Sequence, residues 1–200
     1  MAEKQIDFIE KIAEHIMRTV KPTRWNPKTY PEKFTKRSPA EILKSRERNY
    51  MSSCIDASFA LATRLKQTGF SPTIVVQELV NKHTKEPGLH FAIEVKADGK
   101  LYTVELNDVK KTLIYSGKYK PSISKPKLKN LCVRRFSTKN FDPSKPIFEF
   151  FKMKHPEDYE KVFKHVKKKH IDKMFQIMEK SDSAKLFNRL QKQKFKVRRI

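Results

Sequence analysis

Residues 73–106 place the tightest limit on the fold. Thr73-Ile74-Val75-Val76-Gln77-Glu78-Leu79-Val80 is rich in β-branched side chains, which suit a pleated, half-buried surface. Leu89 to Val95 alternates, with Leu89, Phe91, Ile93 and Val95 on one face of an extended strand and His90, Ala92 and Glu94 on the other. Asp98-Gly99 follows, a dipeptide that tolerates the positive φ angles of a two-residue hairpin, and Leu101 to Leu106 can pair back. Lys111 to Tyr119 can add one more strand. The polar stretch 81–88, ending in Pro87-Gly88, is the loop between the first two strands. Together these segments call for an antiparallel sheet.

Upstream, the apolar period changes from two to 3.6. Ile6, Ile9, Ala13, Ile16 and Val20 form one stripe of a helix over residues 5–20. Pro22, Pro27 and Pro31 then break the chain into a loop up to residue 37. Ser38-Pro39-Ala40-Glu41 is a helix start: Ser38 caps, Pro39 suits the first helical position, and Glu41 closes a capping box. That helix is expected to reach Arg48. The next is expected to run from Ser53 to Gln67, with Ile55, Phe59, Leu61, Ala62 and Leu65 as its apolar side and Gly69 as its stop. Helices ahead of an antiparallel sheet predict an α+β fold. Pro121 and Pro126 mark a linker over 120–130, and helical patterns resume at Pro146, with starts at His155-Pro156-Glu157-Asp158 and Ser181-Asp182-Ser183. The expected organisation is a core with N-terminal helices over 1–120 and a basic, mainly helical extension over 121–200.

Chemistry enters with three residues. Cys54 stands at the start of a helix, where the dipole and free backbone N–H groups favour a thiolate. His90, on a strand, can take the thiol proton and return it to a leaving amine. An acid on the next antiparallel strand can sit beside that histidine and fix its tautomer. Glu105 is the candidate, with Asn107 the alternative two residues further along the same strand face and Asp108 on the opposite one. Taken singly, each residue has an ordinary reading. A lone cysteine is usually a small buried hydrophobe, and a strand histidine or glutamate is usually structural or solvated. The joint order and spacing point to catalysis. Asp56 complements the helix start and receives no catalytic role.

The run from Cys54-Ile55-Asp56-Ala57-Ser58-Phe59 to Gly69 resembles the segment of the transglutaminase-like superfamily that joins the catalytic cysteine to a helix-ending glycine. His90-Phe91-Ala92-Ile93-Glu94-Val95 is similar to that family's histidine strand, usually His-small-Trp-apolar-Glu-apolar. The resemblance covers residues 38–108. It implies a transglutaminase-like/papain-like core, a catalytic helix on an antiparallel sheet, and acyl transfer by a Cys-His-acid triad. Cys54 would attack an amide of a protein or peptide, His90 would shuttle the proton, and Glu105 would hold His90. The Cys54 backbone N–H would serve an oxyanion hole. Water as acceptor would make an amide hydrolase or protease, and an amine would make a cross-linker. Two positions depart from the pattern: Ala92 replaces the family's Trp, and Glu105 replaces its Asp. No organic cofactor and no metal, calcium included, is implied.

Charge adds a second theme. The formal net charge is +23, unevenly spread: residues 1–108 hold 18 Lys and Arg against 14 Asp and Glu, and residues 109–200 hold 27 against 8. Such asymmetry suits an anionic partner, and the alternative function is a non-catalytic transglutaminase-like module binding nucleic acid through its basic C-terminal half. Phe148, Phe150, Phe151 and Phe163 interleave with lysines as a stacking surface would, although their helical spacing suits a core better. Lysine outnumbers arginine 34 to 11, so a general lysine bias accounts for the same charge. No apolar run reaches the roughly 20 residues of a bilayer span, and no secretory leader pattern begins the chain, so a soluble cytoplasmic protein is expected. Its two cysteines, Cys54 and Cys132, are then expected to be free thiols, although one disulfide is compatible with the sequence. Cys132, His155, His165 and His170 lack standard zinc spacing. No glycine-rich phosphate loop is present, Ser52 and Ser53 match no nucleophile elbow, and Trp25 reads as an anchor rather than part of a cleft.

Overall fold

The computed structural model describes residues 4–23, 36–49, 53–82, 87–106, 112–121, 128–147, 149–150 and 197–199. The expectations for Trp25, Asn107, Asp108 and the helices after residue 150 lie outside these residues. In chain order the elements are α1 (Gln5–Thr19), β1 (Lys21–Thr23), α2 (Pro39–Ser45), β2 (Glu47–Asn49), α3 (Ser53–Gln67), β3 (Thr73–Asn81), β4 (Pro87–Ala97), β5 (Lys100–Glu105), β6 (Thr112–Ser116), β7 (Leu128–Ser137) and β8 (Val197–Arg199). The fold is α+β. Five strands pair antiparallel in the order β7-β3-β4-β5-β6, and β8 joins the β6 edge in parallel.

Local chemistry accounts for most element ends. Asp98 and Gly99 turn the β4–β5 hairpin with φ of 49° and 72°, the double positive φ that this turn requires. Ser38 and Glu41 form the reciprocal capping box of α2. At the end of α3 the Phe70 N–H bonds Leu65 O and the Gly69 N–H bonds Lys66 O, with Gly69 at φ 90°, which is a Schellman motif. The amino end of α1 has no cap from the adjacent Lys4. The carboxylate of Asp98, in the distant hairpin, accepts from Gln5 N and Ile6 N, both at 3.0 Å.

One face of the sheet packs on α1 and α3. Ile74, Val76, Phe91, Ile93, Val95 and Val104 meet the stripe of α1 and the apolar side of α3 in one core. Phe59 sits fully buried within it, its ring 5.7 Å from Phe141, 5.9 Å from Phe150 and 6.5 Å from Phe91. Phe150 is therefore a core residue, as its spacing suggests.

Three expectations change. The helix at Pro39 stops at Ser45 rather than Arg48. Arg46 turns left-handed at φ 58°, and residues 47–49 pair in parallel with residues 21–23, which were expected to be loop. Residues 128–137, the first of them expected to be linker, form β7 beside β3. Its two arginines are partnered there: Arg134 lies 3.4 Å from Glu78, and Arg135 clasps Glu94. The core also continues past residue 120, through Phe136, Phe141, Ile147 and Phe150. A boundary at residue 120 thus cuts between a sheet strand and its neighbour.

Candidate active site

Cys54 is the second residue of α3, half-buried at the edge of the helix-side core. His90 on β4 and Glu105 on β5 are 4% and 0% exposed. Strand alternation puts both on the sheet face opposite Phe91 and Ile93. The β4–β5 register runs from Ala97↔Lys100 to Ile93↔Val104, and both side chains come from beyond that last rung. There His90 Nε2 lies 2.8 Å from Glu105 Oε2. Cys54 is the other side chain that acts on the imidazole, raising its pKa through hydrogen bonding and charge. A carboxylate only accepts, so a neutral His90 would carry its proton on Nε2 and keep its lone pair on Nδ1.

The electrostatics of His90 are a contest. Burial by itself would lower its pKa, but the hydrogen bonds to Cys54 and Glu105, with their charges, outweigh it and raise the value to about 9. At neutral pH the imidazole is therefore in its charged form, with both ring nitrogens protonated.

The structure brings together Cys54, His90 and Glu105, and adds groups that the sequence reading missed. Tyr115 Oη donates to Glu105 Oε1 at 3.1 Å and accepts from the Lys120 N–H at 2.9 Å. The Tyr119 ring stands 6.0 Å from the imidazole, tilted by 39°. Its hydroxyl lies 2.5 Å from Oε1 of Gln77, the residue directly opposite His90 on β3. Ala92, where the transglutaminase-like pattern has Trp, packs fully buried in a small cluster with Val75 and Tyr119. The aromatic neighbour of His90 thus comes from a segment 27 residues after Ala92 rather than from its own strand. Strand alternation would have put Tyr115 on the His90 face. Tyr119 lies past the turn at Gly117, φ 95°, where no periodicity reaches it.

Asp56 is fully buried two residues after Cys54 and pairs with Arg37, itself 7% exposed. The guanidinium neutralises a carboxylate that would otherwise oppose thiolate formation in the same helical turn. Cys132 is also a free thiol, as is Cys54. It sits on β7 opposite Glu78, and its pKa is pushed up by burial first and by Glu78 second. Among the described residues, no three His, Cys, Asp or Glu side chains gather as metal ligands, and no helix is long and apolar enough to cross a membrane. No protein-family model matches the chain, and no curated protein matches it.

Proposed function

We propose that this chain is a cysteine-dependent acyl-transfer enzyme with a transglutaminase-like core. Cys54 Sγ attacks the carbonyl of a protein or peptide amide, and the backbone N–H groups at the start of α3 take up the developing oxyanion charge. His90 gives its proton to the leaving amine, and Glu105 holds the imidazolium in place. The acyl group then passes to water, as in an amide hydrolase or protease, or to an amine, as in a transglutaminase. The observation that carries this reading is a buried imidazole held 2.8 Å from a buried carboxylate, with a helix-start cysteine among the groups that raise its pKa. A cytoplasmic setting, which keeps thiols reduced, belongs to the same proposal.

The test is the pH dependence of Cys54 alkylation, read by mass spectrometry in wild type and His90→Ala. Cys132 is the internal control. Cys54 is expected to be alkylated readily at neutral pH, faster than Cys132, and to lose that reactivity in His90→Ala. Equal behaviour of Cys54 in the two proteins would sink the proposal.

A second reading has its own support in the 27 Lys and Arg against 8 Asp and Glu of residues 109–200. In it the fold is a non-catalytic module that binds nucleic acid through its basic half.

A further inference from the structure

We propose that Tyr115 is a positioning residue that makes a glutamate work in the third place of the site. This rests on the acyl-transfer reading above and deepens it. A glutamate has one more rotatable bond than an aspartate, so a Glu held only by His90 could swing away from the ring. Here it is held at both oxygens, Oε2 by His90 at 2.8 Å and Oε1 by Tyr115 Oη at 3.1 Å. The direction of the second bond is also set. The Lys120 N–H, 2.9 Å away, occupies an acceptor site of the Tyr115 oxygen, so the phenolic proton is left to point at Glu105. All three side chains are buried: Tyr115 is 3% exposed, His90 4% and Glu105 0%. Water does not compete for these bonds.

The framework beneath them is rigid. Glu105 and Leu113 are partners on β5 and β6, and Tyr115 faces Thr103 two residues along the same ladder. Thr103 Oγ1 in turn bonds Gly117 O at 2.8 Å, which anchors the turn leading to Lys120. Burial, and after it the charge of Glu105, pushes the Tyr115 hydroxyl up, with the Lys120 N–H acting the other way, so the phenol remains a donor across the working range. The chain of donors therefore runs one way, from Lys120 N–H to Tyr115 to Glu105, and His90 donates to Glu105 from the other side. The site operates as Cys54–His90–Glu105–Tyr115.

The experiment is an NMR titration of the His90 imidazole in wild type, Tyr115→Phe, Glu105→Gln and the double variant, with Cys54 alkylation at neutral pH run alongside. Tyr115→Phe keeps the ring and removes the hydroxyl. Its His90 pKa is expected to fall by about one unit as the Glu105 bond loosens, and Cys54 alkylation to slow by about tenfold. In the Glu105→Gln background the same change is expected to add nothing, because Tyr115 acts through that carboxylate. An unchanged or raised His90 pKa, or an equal effect in both backgrounds, would overturn the proposal. If loss of the hydroxyl prevents folding, Glu105→Asp asks the same question. A carboxylate shortened by one methylene cannot span His90 and Tyr115, and the His90 pKa falls if the span matters. His90→Ala separates the two claims. Indifference of Cys54 to His90→Ala removes acyl transfer and with it the role of Tyr115, whereas a wild-type His90 titration in Tyr115→Phe removes Tyr115 alone.

Discussion

His90 shows burial and charge acting against each other in one side chain. Its pKa in the fold is about 9, against an ordinary value of 6.5. A cation gained on folding stabilises the native state fully below the unfolded pKa and loses that contribution as pH rises through the folded one. Denaturant melts are therefore expected to show wild type losing stability relative to His90→Gln between pH 6.5 and about 9. A gap that widens with rising pH would reverse the sign and refute the His90 assignment. Cys54, His90 and Glu105 were legible in the sequence because each sits on a strongly periodic element whose faces can be read. Tyr119 and Arg37 were not. They reach the site from irregular segments, and only packing decides where such side chains point. Asp56 was read as a helix-start acid, and its burial beside Arg37 came from the fold alone.

Elements here are capped both by their neighbours in sequence and across the fold. The Ser38 box and the Gly69 stop involve residues within a few positions of one another, so both were readable in the sequence. The amino end of α1 is capped by Asp98, 92 residues from Ile6, through two bonds of 3.0 Å. Gln5 Oε1 in return accepts from the Asp98 N–H at 2.8 Å. Asp98→Ala is expected to cost about 1–2 kcal/mol by thermal or chemical denaturation, from the lost cap and from a β-carbon residue without side-chain support at φ 49°. Asp98→Asn keeps an acceptor and tolerates the left-handed backbone, so its cost is expected to be smaller. Equal costs would assign the effect to charge rather than to capping geometry. The strand over 128–137 escaped the sequence reading because its alternation is broken by arginine and lysine. Tertiary partners reinstate it: Glu78 and Glu94 balance the charge, and β3 supplies the ladder.

At the scale of the whole molecule, the segment after β7 straps α3 to the sheet. The Lys66 ammonium, near the end of α3, donates to the carbonyls of Thr138, Lys139 and Phe141 at 3.2, 3.3 and 2.7 Å. Pro143 O accepts from Ala40 N, and Arg37 O accepts from Ile147 N, beside the start of α2. The basic half therefore begins inside the core, and the nucleic-acid reading is best tested on the full chain. It predicts that affinity for a single-stranded oligonucleotide falls by about a hundredfold or more between roughly 50 and 200 mM salt and is unaffected by Cys54→Ala. Weak binding that ignores salt would remove it. The sequence by itself determined the helix–sheet class, the hairpin at Asp98-Gly99, the helix ends at Ser38 and Gly69, and the order of Cys54, His90 and Glu105. All of these follow from periodicity, φ preference or local hydrogen bonding, which act over a few residues. Only the tertiary structure decided that β7 borders β3, that Asp98 caps α1, that Arg37 balances Asp56, and that Tyr115 and Tyr119 enclose the site. Those contacts join residues far apart in the chain, and their energies exist only once the sheet register and the helix-side core have closed.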